Sequence, residues 1–155
     1  MTMVEVRTQV GGLGEFQGKT HVLPLRVYYE DTDLSGVVYH ANYLRFMERG
    51  RTEFFRSAGI WLAKLHEPEP VAWTLRKATV TYHRPARLDD PLEVHSTFGE
   101  LTGARVTAEQ KVWCGSKLLV EGHIEACLIT LSGKVRRIPA EVREALLPFL
   151  SETNT

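Results

Sequence analysis

The sequence predicts an α+β domain, an antiparallel sheet with one long helix laid on a single face. Three observations predict it. A four-and-three apolar stripe runs from Tyr43 to Ala58, the strongest helical pattern in the chain. Beyond Pro70 the apolar period switches to two and holds through four long runs. Short turns join those runs, which suits antiparallel neighbours and leaves no room for the crossover helices of a parallel sheet.

Each element has its own reason. Residues 1–20 hold Gly11, Gly12, Gly14 and Gly18 with few large apolar side chains. A flexible lead-in is expected there, leaving 21–155 as a single domain. From Val22 to Tyr29, β-branched and aromatic residues predict a strand, with Pro24 confined to its start or to an edge. Glu30 to Gly36 is polar and ends in glycine, the mark of a loop. Asn42 is the N-cap candidate for the long helix. Its stripe is Tyr43, Met47, Gly50, Phe54 and Ala58, widened by Leu44, Phe46 and Phe55, and Gly59 marks its end. Gly50 sits on the stripe at a cost of about 1 kcal/mol of helix propensity against Ala, so another backbone is expected to approach closely there.

The period-two runs follow. Ala78, Val80 and Tyr82 alternate in the first, and Leu92, Val94, Ser96 and Phe98 in the second. A third runs from Val106 to Cys114 and a fourth from Leu118 to Leu131, with a hairpin signal at Gly115-Ser116 between them. Pro139 opens a short terminal helix, Ala140 to Leu150. Strands of about ten residues exceed the usual five or six. A sheet of about five such strands curls, and one long helix fills the curl.

Composition narrows the function classes. The chain has 155 residues, 43% hydrophobic and 25% charged, enough for one well-formed core. Lys+Arg and Asp+Glu number 19 each, so bulk charge does not favour nucleic acid as a partner. There is no apolar run of about 18 residues or more, so no transmembrane segment is expected. Residues 1–20 lack the basic and apolar regions of a secretory signal. The two cysteines, Cys114 and Cys127, have no metal-ligand spacing, which predicts reduced thiols and a cytoplasmic location.

Phosphate loops, a dinucleotide fingerprint, a serine elbow and paired metal-binding histidines are all missing from the sequence. What remains lies in one window, Tyr29 to Tyr43, with Glu30, Asp31, Asp33, His40 and three tyrosines just ahead of the helix. Free N–H groups and the positive end of the helix dipole meet there, suited to a carbonyl oxygen gaining charge. A carboxylate on the loop would supply a base or nucleophile beside that oxyanion stabiliser. An acidic loop before a helix also serves, more commonly, as cap and dipole complement, and His40, Tyr39 and Tyr43 have ordinary structural roles open to them.

The residues themselves weigh on this choice. Tyr28-Tyr29-Glu30-Asp31-Thr32-Asp33, then Gly36-Val37-Val38-Tyr39-His40-Ala41-Asn42-Tyr43-Leu44, then Glu48-Arg49 and Arg51-Thr52-Glu53 form a long, nearly gap-free motif. It closely resembles the signature of hotdog-fold acyl-CoA thioesterases, in the branch of the 4-hydroxybenzoyl-CoA thioesterase superfamily associated with the Tol–Pal system. Pro85-Ala86-Arg87-Leu88-Asp89-Asp90 and Arg136-Arg137-Ile138-Pro139 extend the resemblance over roughly residues 22–150. It implies a long helix wrapped by a curled sheet, in agreement with the periodicity.

The resemblance also implies roles. Asp33 falls at the catalytic aspartate, to attack the thioester carbonyl or to activate water. His40 falls where the family presents a backbone N–H to the thioester oxygen, its imidazole assisting. Tyr29, Tyr39 and Glu48 are expected to contact or support the substrate, Glu48 having a bridging structural role as its alternative. Arg105 lies near where relatives hold the coenzyme A phosphates, although Thr102-Gly103-Ala104 lacks their basic cluster. No metal and no cofactor is expected, coenzyme A being part of the substrate. A homodimer or homotetramer is expected, because long edge strands left open invite pairing. Hydrolysis of acyl carrier protein thioesters, a dehydratase and a non-catalytic acyl-thioester-binding or cell-envelope module are the alternatives.

Overall fold

The computed structural model describes residues 12–61 and 69–151. Strands β1 (Glu15–Gln17) and β2 (Thr20–Arg26) are followed by a 3-10 turn, Tyr29–Asp31, and by helix α1 (Asn42–Ser57). Four long strands come next: β3 (Val71–Tyr82), β4 (Pro91–Leu101), β5 (Arg105–Cys114) and β6 (Lys117–Thr130). Helix α2 (Ala140–Leu146) and a 3-10 turn, Leu147–Phe149, close the described chain. The six strands form one sheet in the order β1-β2-β4-β5-β6-β3, each neighbouring pair antiparallel. Between β2 and β3 the chain crosses from one side of the sheet to its far edge, and α1 makes that crossing over one face.

Curvature has local causes. Register shifts between Leu75 and Lys77, Phe98 and Leu101, and Val112 and Trp113 put irregularities into three of the long strands, and such bulges bend a strand and raise its twist. The concave side buries Leu92, Val94, Phe98, Val106, Ala108, Val112, Val120 and Ile124 against Phe46, Met47, Phe54 and Phe55 of α1. At Gly50 the helix approaches the sheet closely. A Cβ there would stand 2.7 Å from Val94 Cγ1, 3.0 Å from Ser96 Oγ and 3.0 Å from Gln110 Nε2. That is the close approach the misplaced glycine predicted. Gln110 Nε2 donates to Met47 O and to Ser96 Oγ, each at 2.8 Å, while its Oε1 accepts from Arg51 Nη1 at 2.9 Å. This buried amide is fully used, as burial demands.

Several expectations need correction. The lead-in 1–20 is not slack throughout. Residues 1–11 lie outside the described residues, but β1 turns into β2 and makes a sixth strand where about five were expected. Phe16 fixes it, edge-on to Phe54 at 4.9 Å and stacked on Phe149 at 4.2 Å, and Leu13 N–H donates to Glu53 Oε2 at 2.6 Å. Glycine count hid this one aromatic anchor. The first long strand stops at Arg26 instead of Tyr29, and Pro24 lies past the reach of β1, on a free edge. Asn42 does not cap α1: Ala41 is at the N-cap without a side-chain bond, and Asn42 Nδ2 donates to Asp31 Oδ1 at 2.8 Å. The terminal helix ends at Leu146, since Pro148 forces the tighter turn.

Candidate active site

The loop ahead of α1 is built by its own hydrogen bonds. Asp31 is 4% exposed, and its Oδ2 accepts the Tyr28 N–H at 2.8 Å while Oδ1 accepts Asn42 Nδ2. Its carboxylate is therefore spent on structure, closing the 3-10 turn onto the start of the helix. Two residues on, Asp33 begins a tight turn. Its N–H donates to Val37 O at 2.9 Å and its carbonyl accepts from Gly36 N–H at 3.0 Å. Gly36 adopts φ 80°, a region that glycine enters without strain. Val38 N–H donates to Ala86 O at 2.9 Å, pinning the returning arm to the segment between β3 and β4.

Asp33 itself is exposed. Ser35 donates to its Oδ1 twice, from Oγ at 2.5 Å and from N–H at 2.9 Å. The Ser35 hydroxyl is the main reason the Asp33 carboxyl lies below its usual value, with the Ser35 and Val37 N–H groups and His40 acting in the same direction. The carboxylate is ionised and ready at neutral pH.

His40 occupies the turn that enters α1. Tyr39 N–H donates to Asp31 O at 2.9 Å and Asn42 N–H to Tyr39 O at 2.8 Å, but the N–H groups of His40 and Ala41 have no acceptor among the described residues. The His40 carbonyl accepts from Tyr82 Oη at 2.8 Å, which fixes that peptide from the β3 side. The His40 ring lies 4.5 Å from the Tyr39 ring and 6.4 Å from that of Tyr82. Below it Tyr43 is buried, its Oη accepting the Ala86 N–H at 3.1 Å, and burial pushes its phenol pKa up. Val38, His40, Tyr43, Tyr82 and Pro85 line an open hollow of about 320 Å³.

A larger groove, about 490 Å³, starts one helical turn beyond His40. Leu44, Glu48, Arg51 and Phe55 supply the α1 wall, and Val71, Trp73 and Leu75 the β3 wall. These helix residues form a second stripe beside the one that packs on the sheet, with Phe55 belonging to both. Phe55 stacks on Trp73 at 5.5 Å. Burial lowers the pKa of the Arg51 guanidinium, offset by the Glu48 charge.

The structure thus brings Asp33, His40 and Tyr39 to one end of α1. Glu48 lies about 12 Å along the helix from His40, at 1.5 Å per residue, and lines the groove instead of the hollow. Tyr29 is 82% exposed and faces a separate hollow with Arg26, Tyr28 and Leu88. Arg105 does not join the site within the chain. It pairs with Cys127, which pairs in turn with Thr74, eight residues from Tyr82 and so on the order of 26 Å away along the strands. Its proximity in family terms had no counterpart in chain order. Sequence reasoning passed over Tyr82 and Ser35. Tyr82 carried no signal, being one aromatic in a strand; a hydroxyl two residues after an aspartate is a known turn signal.

Cys114 and Cys127 are both free thiols. Among the described residues no group of three or more His, Cys, Asp or Glu side chains stands close enough to hold a metal ion. No described helix is long and apolar enough to cross a membrane.

A curled antiparallel sheet around one helix is a hotdog fold, and here the loop before that helix carries an exposed carboxylate and N–H groups without an acceptor among the described residues. The chain belongs to the thioesterase-like superfamily, which it matches over residues 27–146. It is 38% identical over 124 residues to the acyl-CoA thioesterase YbgC of Haemophilus influenzae, covering 79% of this chain and 90% of that one. It is 41% identical over 121 residues to the acyl-CoA thioester hydrolase YbgC of Escherichia coli, covering 77% and 90%. A probable thioesterase from Bartonella henselae superposes with a TM-score of 0.74 at 42% identity, over 77% of this chain and 99% of the other.

Proposed function

We propose that the chain hydrolyses acyl-CoA thioesters to coenzyme A and a carboxylic acid, with Asp33 as the reacting carboxylate and the His40 N–H as the oxyanion donor. One observation carries the reading: an ionised, exposed carboxylate and an N–H without acceptor flank the same turn at the start of α1. A thioester has weaker resonance than an ester or amide, so these two elements suffice for its carbonyl. As nucleophile, Asp33 adds to the carbonyl carbon, the C–S bond breaks and the departing thiolate takes a proton from water. Water then opens the mixed anhydride and restores the carboxylate. As general base, Asp33 takes a proton from water, hydroxide adds to the carbon, and the proton passes to the leaving thiolate. In both routes the carbonyl oxygen gains charge beside the His40 N–H, a contact worth about 10²–10³ in rate.

The groove between α1 and β3 suits the acyl group, with Leu44, Phe55 and Trp73 as apolar walls. A homo-oligomer completes the site in this reading. The outer edge of β3 is unpaired over twelve residues, and Leu34, at the tip of the Asp33 turn, is fully exposed. Antiparallel pairing of two β3 edges would cover both and carry the Arg105 end of a second copy toward the Asp33 loop. A cytoplasmic site of action fits the two free thiols.

The test is thiol release over acyl-CoAs from acetyl to palmitoyl together with aromatic ones. Turnover of some member, abolished in Asp33→Asn, is expected. Silence across the panel, with release from acylated carrier protein, would replace coenzyme A by the carrier; silence on both would leave a binding module.

A further inference from the structure

The Asp33 carboxylate is not symmetrically held. Both donors of Ser35, hydroxyl and N–H, fall on Oδ1, while the Val37 N–H bears on the same carboxylate from the returning arm. The turn does not need the hydroxyl to close, because Asp33 N–H to Val37 O and Gly36 N–H to Asp33 O already close it. Ser35 is exposed, and its Oγ has no other partner among the described residues. A hydroxyl so placed reinforces the Ser35 N–H in fixing which carboxylate oxygen is occupied.

We propose that Ser35 is a positioning residue for the reaction, tying Asp33 Oδ1 so that Oδ2 alone is presented to the thioester carbonyl or to the attacking water. This rests on the reading of Asp33 given above. Fixing one oxygen removes the rotation about the Cβ–Cγ bond that would otherwise spread the reacting atom over two positions, a gain of orientation in the sense of an entropy trap. It has a second consequence. A donor to the charged form keeps a carboxyl ionised to lower pH. Loss of the hydroxyl therefore moves the acid limb of the activity profile toward higher pH. The charged groups around the turn are His40 at the helix entry, Glu30 and the buried Asp31 on the same loop, and Arg87 across the bridge to Val37. All of them stay in place when Ser35 is changed, so the change in the limb isolates the hydroxyl.

The experiment compares wild type, Ser35→Ala, Ser35→Thr and Asp33→Asn as full-length chains, on the best acyl-CoA of the panel, between about pH 4 and pH 8. Thiol release is followed with dithiodipyridine, which reports in acid. For Ser35→Ala, melting and KM are expected to match wild type, and kcat on the plateau to fall about tenfold. On the acid limb the loss deepens by a further factor of about three to ten, the scale of one ordinary hydrogen bond. Ser35→Thr, which keeps the hydroxyl, restores both the plateau and the limb. A Ser35→Ala profile superimposable on wild type, with Asp33→Asn inactive, overturns the role of Ser35 and leaves the function intact. An active Asp33→Asn leaves the hydrolysis standing but overturns the role of Asp33 and this inference together.

Discussion

Asp31 and Asp33 stand two positions apart and do opposite work. Asp31 is buried between Tyr28 N–H and Asn42 Nδ2, while Asp33 is exposed and is held chiefly by Ser35. Asp33→Asn is expected to fold normally, bind acyl-CoA and lose at least ~10² in kcat with KM little changed, because the amide is neither base nor nucleophile. Asp31→Asn should act on stability instead, costing about 1–3 kcal/mol by placing an N–H₂ group against a buried donor. Urea melts and thiol release on the two variants separate these outcomes; a dead but stable Asp31→Asn would reverse the assignment.

His21 gives a pH dependence at the same scale. Its ring is fully buried, with Nε2 3.2 Å from Ser57 Oγ and no hydrogen-bond partner on Nδ1 among the described residues. Burial lowers its pKa, opposed by the Leu13 backbone and the Glu53 charge from α1. The unfolded chain thus binds the proton at higher pH than the folded one. Stability from this group is complete above the ordinary value of about 6.5 and falls as pH drops below it toward the folded value. Denaturant melts across that window should show the decline, and His21→Phe should flatten it.

Among the elements, α1 against β4, β5 and β6 is the packing that matters. Gly50→Ala gains about 1 kcal/mol of helix propensity. It loses more, since Val94 Cγ1 is stiff and the Gln110 amide is held by three hydrogen bonds. A net loss of about 1–2 kcal/mol is expected from overpacking. Gly122 makes the contrast. A Cβ there meets Met47 Sδ at 2.8 Å and Cε at 2.9 Å, the end of a flexible side chain that can swing away. Gly122→Ala should therefore cost less than Gly50→Ala in the same melts; equal losses would contradict the distinction.

For the molecule as a whole, the open β3 edge and the exposed Leu34, Tyr39 and Tyr82 around the Asp33 turn point to association. Sedimentation at micromolar concentration is expected to give a dimer or tetramer, with activity lost on dilution to monomer. A stable, active monomer would remove the oligomer from the proposal.

The α+β class, the long helix, the four long strands and the Tyr29–Tyr43 window were all legible in the chain, because each rests on local spacing or on a contiguous motif. The close approach at Gly50 was legible too, as a residue in conflict with its own helix. What tertiary structure decided is what brings distant residues together. Phe16 locks onto Phe54 and Phe149 and turns a glycine-rich stretch into a strand. Asn42 gives up capping for Asp31. Tyr82 reaches His40 across forty-two positions, and Arg105 falls at the far end of the sheet. Spacing along a chain fixes which face a residue shares with its near neighbours. Only the path of α1 across the curled sheet fixes which ends of different strands meet.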